Sequence, residues 1–236
     1  VDRHLAIIPA RGGSKRLPGK NTKKIGDTTL VQRAIVESTA SGCFTDIMLT
    51  TDSPEIIKQC EQFKHVIIHN RVESLAGDNV TVLQVILDIM STLESENNNY
   101  ETVTVMLPTV PFRQAEHIKA GFKKLDAECD GVLSVKEYDF SWHLSMGIDS
   151  SDFIAPYLDD SPLVSGKTRT QDQQKLYHPN GIFYIFKWDS LKKKRSFFKG
   201  KLRPVVIDKF HSWDIDEPED FESAQYIYKY LEEREE

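Results

Sequence analysis

Cysteine is scarce in this 236-residue chain: Cys43, Cys60 and Cys129 are odd in number and far apart. That excludes a disulfide framework, offers no zinc knuckle, and is the expected usage of reduced thiols in a cytoplasmic protein. The seven histidines are scattered, and none pairs at zinc spacing. No apolar run approaches the roughly 20 residues of a membrane span. The opening Val1-Asp2-Arg3-His4 leads into a short apolar stretch without the cleavage region of a signal peptide. Repeats and domain linkers are also missing, so a single domain over 1–236 is expected. A net charge of −6 argues against a general nucleic-acid surface. Acidic residues are absent from Arg3 to Gly26, a stretch that holds Arg3, Arg11, Lys15, Arg16, Lys20, Lys23 and Lys24. A cation cluster in an acidic chain implies a small polyanionic ligand. A merely solvated basic surface is the competing reading, and the glycine pair inside the cluster tells against it.

What is present is an alternation of short apolar runs and amphipathic helices. Strands are expected at 4–9, 46–50, 65–69, 102–107, 131–135, 181–186 and 204–208. Helices are expected over 29–39, 54–63, 81–93, 115–127, near 188–194, and from about 218 to 233. Ser53 reads as an N-cap with Pro54 at the first helical position, and Gly42 as a helix stop. This is the pattern of an α/β fold with a doubly wound, mostly parallel, Rossmann-like sheet covered on both faces. The rhythm breaks from Tyr138 to Leu176. An irregular insert of that length is functional or an interface.

The first strand runs directly into Pro9-Ala10-Arg11-Gly12-Gly13-Ser14-Lys15-Arg16-Leu17-Pro18-Gly19-Lys20-Asn21. Ligands of open parallel sheets sit at the carboxyl ends of strands. Gly12 and Gly13 would let the backbone approach a phosphate, and Arg11, Lys15, Arg16 and Lys20 could neutralise a triphosphate. A Walker A loop is excluded, because Ser14 stands where its first glycine belongs and Asn21 follows Lys20. The Gly-x-Gly-x-x-Gly dinucleotide fingerprint is absent. Near the other end lie Asp214 and Asp216. If that segment is extended, both carboxylates face one way and Ile215 the other. Two such carboxylates suit Mg²⁺, which takes few protein ligands together with phosphate oxygens. The alternative is that Asp216 only caps the last helix.

The Arg11–Asn21 loop resembles the Arg-x-x-Ser-Lys-x-Leu-x-x-Lys-Asn segment of the acylneuraminate cytidylyltransferases, the CMP-sugar-acid synthetases. Pro108-Thr109-Val110-Pro111-Phe112-Arg113 is similar to that family's Pro-Thr-x-Pro-Leu-Arg segment. Arg169-Thr170-Gln171-Asp172 with Tyr177-His178-Pro179-Asn180-Gly181, and then Asp214-Ile215-Asp216, complete an ordered set spanning nearly the whole chain. The resemblance implies Mg²⁺-assisted attack of a sugar hydroxyl on the α-phosphate of CTP, with release of pyrophosphate. It implies Arg11, Lys20, Asp214 and Asp216 as catalytic residues, the two aspartates also holding the metal. Ala10, Arg11, Gly12, Gly13, Ser14, Lys15, Lys20, Asn21, Arg71 and Asp78 would bind the nucleotide. Leu107, Thr109, Arg169, Tyr177, Asn180 and Gly181 would bind the sugar acid. Residues 138–176 resemble the family's dimerisation arm, which completes the partner's site in a homodimer.

One departure bears on the sugar. Sialic-acid members carry glutamine where this chain has Leu107, and an aliphatic side chain cannot supply that hydrogen bond. A diamino nonulosonic acid of the legionaminic or pseudaminic type is therefore expected rather than N-acetylneuraminate. Three alternatives stay open on the residues: a Kdo cytidylyltransferase, a nucleotide-sugar glycosyltransferase, and a non-enzymatic nucleotide-binding module.

Overall fold

The computed structural model describes residues 2–77 and 79–235, without the side chains at 170 and 235. Its centre is a seven-stranded sheet. In chain order the first elements are β1 (His4–Pro9), a two-residue hairpin of β2 (Lys24–Ile25) and β3 (Thr28–Thr29), α1 (Leu30–Ser41), β4 (Asp46–Thr51), α2 (Pro54–Cys60) and β5 (Val66–Asn70). Then come α3 (Val82–Ser95), β6 (Thr102–Val105), α4 (Ala115–Lys124) and β7 (Gly131–Glu137). The insert contributes β8 (Met146–Ile148), β9 (Ile154–Pro156) and α5 (Pro162–Ser165). The chain finishes with β10 (Tyr177–Lys187), α6 (Trp188–Lys194), β11 (Leu202–Val206) and α7 (Pro218–Glu235).

The sheet order is β11-β7-β10-β6-β1-β4-β5. Pairing is parallel except along β10, which runs antiparallel to both β6 and β7. The expected mostly parallel α/β sheet is thus present, with β10 as its reversed strand. Strand β1 feeds β4 and β5 on one side, while β6 returns on its other side. The resulting crevice at the carboxyl ends of β1 and β6 is where such sheets take ligands.

Side-chain alternation along β1 divides the core. Ala6, Ile8 and Ala10 face α1, α2 and α4, whereas Leu5 and Ile7 face α3 and α6. The helix starts are chemically specified. Thr29 with Gln32 and Thr81 with Gln84 form capping boxes on α1 and α3, and Ser53 accepts from the Ile56 N–H with Pro54 at the first turn of α2. Gly42, at φ 63°, ends α1 as expected. Among the described residues no helix is long and apolar enough to cross a membrane. The insert is not wholly irregular: β8 and β9 pair as a hairpin, but the hairpin joins no other sheet.

Candidate functional site

A third apolar cluster builds the site. Leu17 from the basic loop, Ile25, Leu30, Phe112 from the β6–α4 connection, Ile215 and Ala224 from α7 pack together, out of contact with the main core. Ile215 is fully buried. Its side chain faces this cluster, so Asp214 and Asp216 both turn toward the opening, as the spacing implies. The buried isoleucine therefore fixes two carboxylates at once. Leu17 in the same cluster anchors the loop that carries the cations.

Above this anchor lies a cavity of about 450 Å³ at the β1/β6 crevice. Arg11, Ser14, Lys15, Arg16, Lys20, Asn21, Arg71, Asp214 and Asp216 make its polar side. Val80, Val82, Val85, Leu107 and Pro108 make an apolar side, with Thr109 beside the acids. That volume and mixed lining suit a small polar ligand with one apolar face.

The charges are coupled. Lys20 Nζ donates to Asp216 Oδ1 at 2.9 Å and to the Ile215 carbonyl at 2.8 Å. Arg16 pairs with the other oxygen of Asp216 at 3.0 Å and with Glu217 at 3.0 Å. Burial opposes ionisation of Asp216, but Lys20 and Arg16 outweigh it and hold the carboxyl below its usual range. Asp214 goes the other way. Burial raises its pKa, a hydrogen bond donated by Thr109 opposes the rise, and the Asp216 charge adds to it. Two neighbouring carboxylates pushed apart in this way mark a functional site. Burial also lowers the pKa of Arg71, whose Nη2 donates to the Thr50 carbonyl at 3.2 Å. The Asn21 amide donates to the Arg11 carbonyl at 2.9 Å, and its buried oxygen has no partner among the described residues.

Several expected residues lie elsewhere. Ala10 continues the sheet by donating to the Thr50 carbonyl at 2.9 Å. The Gly12 N–H is taken by Asp52 Oδ1 at 2.8 Å, and a Cβ at Gly12 would stand 2.8 Å from the Ser53 Cβ. Close approach of the loop to the start of α2 by itself requires a glycine here, and neither Gly12 nor Gly13 is among the residues lining the cavity. Asn180 is buried, with its amide donating to Ser212 Oγ at 2.8 Å and its oxygen accepting from the Ile182 N–H at 3.3 Å. Each end therefore makes one scaffold bond. Gly181, at φ 75°, sits under Leu107, where a Cβ would meet Leu107 Cδ1 at 2.9 Å. Tyr177 is exposed at the start of β10. Arg169 lines a separate cavity of about 480 Å³ formed within residues 160–173 of the insert. Asp78 lies outside the described residues.

Sequence reasoning missed Asp52, the valines 80, 82 and 85, and Tyr184. Asp52 follows the carboxyl end of β4, the position in such sheets where functional groups collect, and that was its available signal. Tyr184 on β10 is pushed up to about 12, by burial first and then by the nearby Asp214 charge. Only the pairing of β10 reveals that proximity. No cluster of three or more His, Cys, Asp or Glu side chains is arranged for a metal among the described residues. Any cation here would rest on the two aspartates and on ligand oxygens.

Comparison with known proteins gives the family and the fold. A family model described as Cytidylyltransferase matches residues 5–199. The chain is 30% identical over 222 residues to CMP-N,N′-diacetyllegionaminic acid synthase of Legionella pneumophila, covering 93% of each chain. It is 27% identical over 228 residues to pseudaminic acid cytidylyltransferase of Campylobacter jejuni, covering 96% of this chain and 97% of that one. The fold matches that of a CMP:2-keto-3-deoxy-manno-octonic acid synthetase solved in complex with CTP, at TM-score 0.69 and 14% identity over 98% of this chain and all of the other. A cation-rich loop after β1, an acidic pair behind it and a family match through most of the chain have one reading: this protein belongs to the cytidylyltransferase family.

Proposed function

We propose that this enzyme joins CTP to a nonulosonic acid, giving the CMP-sugar and pyrophosphate by attack of the anomeric hydroxyl on the α-phosphate. The observation that carries the reading is the convergence of Arg11, Lys15, Lys20 and the Asp214–Asp216 pair on one cavity. The glycosyltransferase and simple binding-module alternatives lose their ground once the family is known. The relatives' names support the sugar class. Leu107 on the apolar side of the cavity favours a legionaminic or pseudaminic type of acid, because a wall without a donor or acceptor rewards acyl and methyl groups over hydroxyls.

Asp214 and Asp216 would hold a divalent cation, Mg²⁺. The residues fit: both donors are hard oxygens, and burial raises the pKa of Asp214, a penalty that a nearby cation relieves. Asp216 already accepts from Lys20 and Arg16. A carboxylate offers about four lone-pair sites, so these bonds and a cation are compatible. When bound, the cation supplies Lewis-acid polarisation of the phosphate. Arg11, Lys15 and Lys20 neutralise the triphosphate and the charge that builds on the leaving pyrophosphate. Thr109 orients Asp214, and Asn21 offers its unpartnered oxygen to a nucleotide donor.

The insert would pair two copies. Phe140, Ile148, Phe153, Ile154, Tyr157 and Val164 are all at least 61% exposed, more than a monomer usually leaves in one segment. A homodimer through this arm would also give Arg169, remote from its own chain's cavity, a place in the partner's site, where its guanidinium suits the acid's carboxylate. The test is the rate of pyrophosphate release with CTP, Mg²⁺ and a panel of nonulosonic acids plus Kdo. Diacylated nonulosonic acids should react fastest. Activity on Kdo alone would transfer the reading to the octulosonic alternative.

A further inference from the structure

The reaction as derived leaves one buried charge without a task. Arg113, at the end of the Pro108–Arg113 segment, is 3% exposed. Its Nε donates to the Ile182 carbonyl at 2.6 Å, and one Nη donates to the Leu107 carbonyl at 2.7 Å and to Gly181 at 3.4 Å. No carboxylate pairs with it directly among the described residues; Glu37 acts at longer range and spends an oxygen on the Ala115 N–H at 2.7 Å. Burial lowers this guanidinium to about 9. Holding a charge in such a place is costly, and its only return is three carbonyls.

One of these residues, Leu107, lines the cavity, and the other two lie behind it on β10. Leu107 ends the β6 segment, and Gly181 and Ile182 form the bulge where β10 slips register against β7. Leu107 is held from both sides: its N–H donates to Gly181 at 3.1 Å, and its carbonyl takes Arg113. Two residues on, the Thr109 carbonyl accepts the Ile215 N–H at 2.9 Å, between the two aspartates, and the Thr109 side chain favours the ionised form of Asp214. One planar fork of donors thus fixes a short edge that carries a wall of the cavity at one end and the carbonyl that holds Ile215 at the other. Lysine, a point charge on a flexible stem, cannot span three carbonyls on two strands.

We propose that Arg113 is a positioning residue, its guanidinium locking the Leu107–Thr109 edge against the β10 bulge and so setting both the sugar-acid wall and the Thr109–Ile215 backbone contact that seats the acidic pair. This rests on the function proposed above. The basic loop meets this edge at one remove, through Lys20 on the Ile215 carbonyl and Leu17 beside Phe112, so the lock acts mainly on the acid and the chemistry and less on nucleotide affinity.

The test is Arg113→Lys, with Gly181→Ala as a second variant that disturbs the same lock from the glycine side without changing charge. Turnover should fall on the order of 10²-fold, the usual cost of a displacement of about 1 Å. KM for the sugar acid should rise, while KM for CTP stays within about threefold. Amide exchange should quicken at Leu107 and Ile215 and not at Ser14. Turnover and acid KM unchanged below the melting temperature would reduce Arg113 to a stabiliser and overturn the proposal. An equal loss of CTP affinity would overturn it too. If the parent enzyme turned over no sugar acid, the functional reading would fail, and unchanged exchange at Leu107 and Ile215 would still refute the lock.

Discussion

Ile215→Ala removes the one apolar side chain that seats two carboxylates. Ile215 is fully buried against Leu17, Phe112 and Leu30 in a cluster apart from the main core. An isoleucine truncated to alanine in a packed core costs about 2–5 kcal/mol, and Ile215→Val about 0.5–1.5 kcal/mol. In a chain of this length each kcal/mol shifts the melting temperature by about 2–4 °C, so alanine should lower it by roughly 10 °C. Leu17 shares the cluster, so the basic loop should loosen together with the acidic segment. Calorimetry on Ile215→Ala, Leu17→Ala and the double variant forms a thermodynamic cycle. Residues in direct contact couple by about 0.5–3 kcal/mol. Pyrophosphate release at 20 °C should fall in every variant that remains folded. A melting temperature lowered by less than about 2 °C, or strictly additive losses from Leu17 and Ile215, would refute the anchoring role.

The two carboxylates should respond to substitution with opposite signs. The pKa of Asp214 is raised in the folded chain, so the stability it lends is full below its unfolded value and is lost as pH rises through the folded one. Asp214→Asn should therefore raise the melting temperature near pH 7 while turnover drops by orders of magnitude. The pKa of Asp216 is lowered, so its stability is present above the unfolded value and is lost as pH falls through the folded one. Asp216→Asn should lower both melting temperature and turnover at pH 7; calorimetry at pH 7 checks both signs. Gly12→Ala should clash with Ser53, and Ser53→Gly should restore melting temperature and CTP binding, since that cap loses only a few tenths of a kcal/mol. Ile148→Asp in the arm should halve the mass seen by light scattering from twice 27.0 kDa to 27.0 kDa and reduce turnover.

The doubly wound sheet was readable because its strands are short apolar runs with helices at a 3.6-residue period between them. The caps at Thr29, Ser53 and Thr81 follow from side chains that bond their own helix starts. Ile215 facing away from Asp214 and Asp216 was readable from strand alternation alone. What stayed hidden depends on contacts across the sheet. The reversed direction of β10 has no local signature, so neither its bulge nor the nearness of Tyr184 to Asp214 could be foreseen. The structural partners of Asn180 and Gly12, Ser212 and Ser53, had no local signature, because polar and glycine residues beside a motif look alike whatever they meet. The valines at 82 and 85 read only as one face of α3, Val80 just before it had no reading, and their turn toward Arg71 and Leu107 is a tertiary fact.

The most direct test of nucleotidyl transfer at this site is ³¹P NMR of the enzyme with CTP, Mg²⁺ and N,N′-diacetyllegionaminic acid. The expected spectrum shows the CTP resonances replaced by one phosphodiester signal and free pyrophosphate in equal amounts, and Asp216→Asn leaves CTP intact. Release of orthophosphate, or CTP unchanged with every nonulosonic acid, would contradict it.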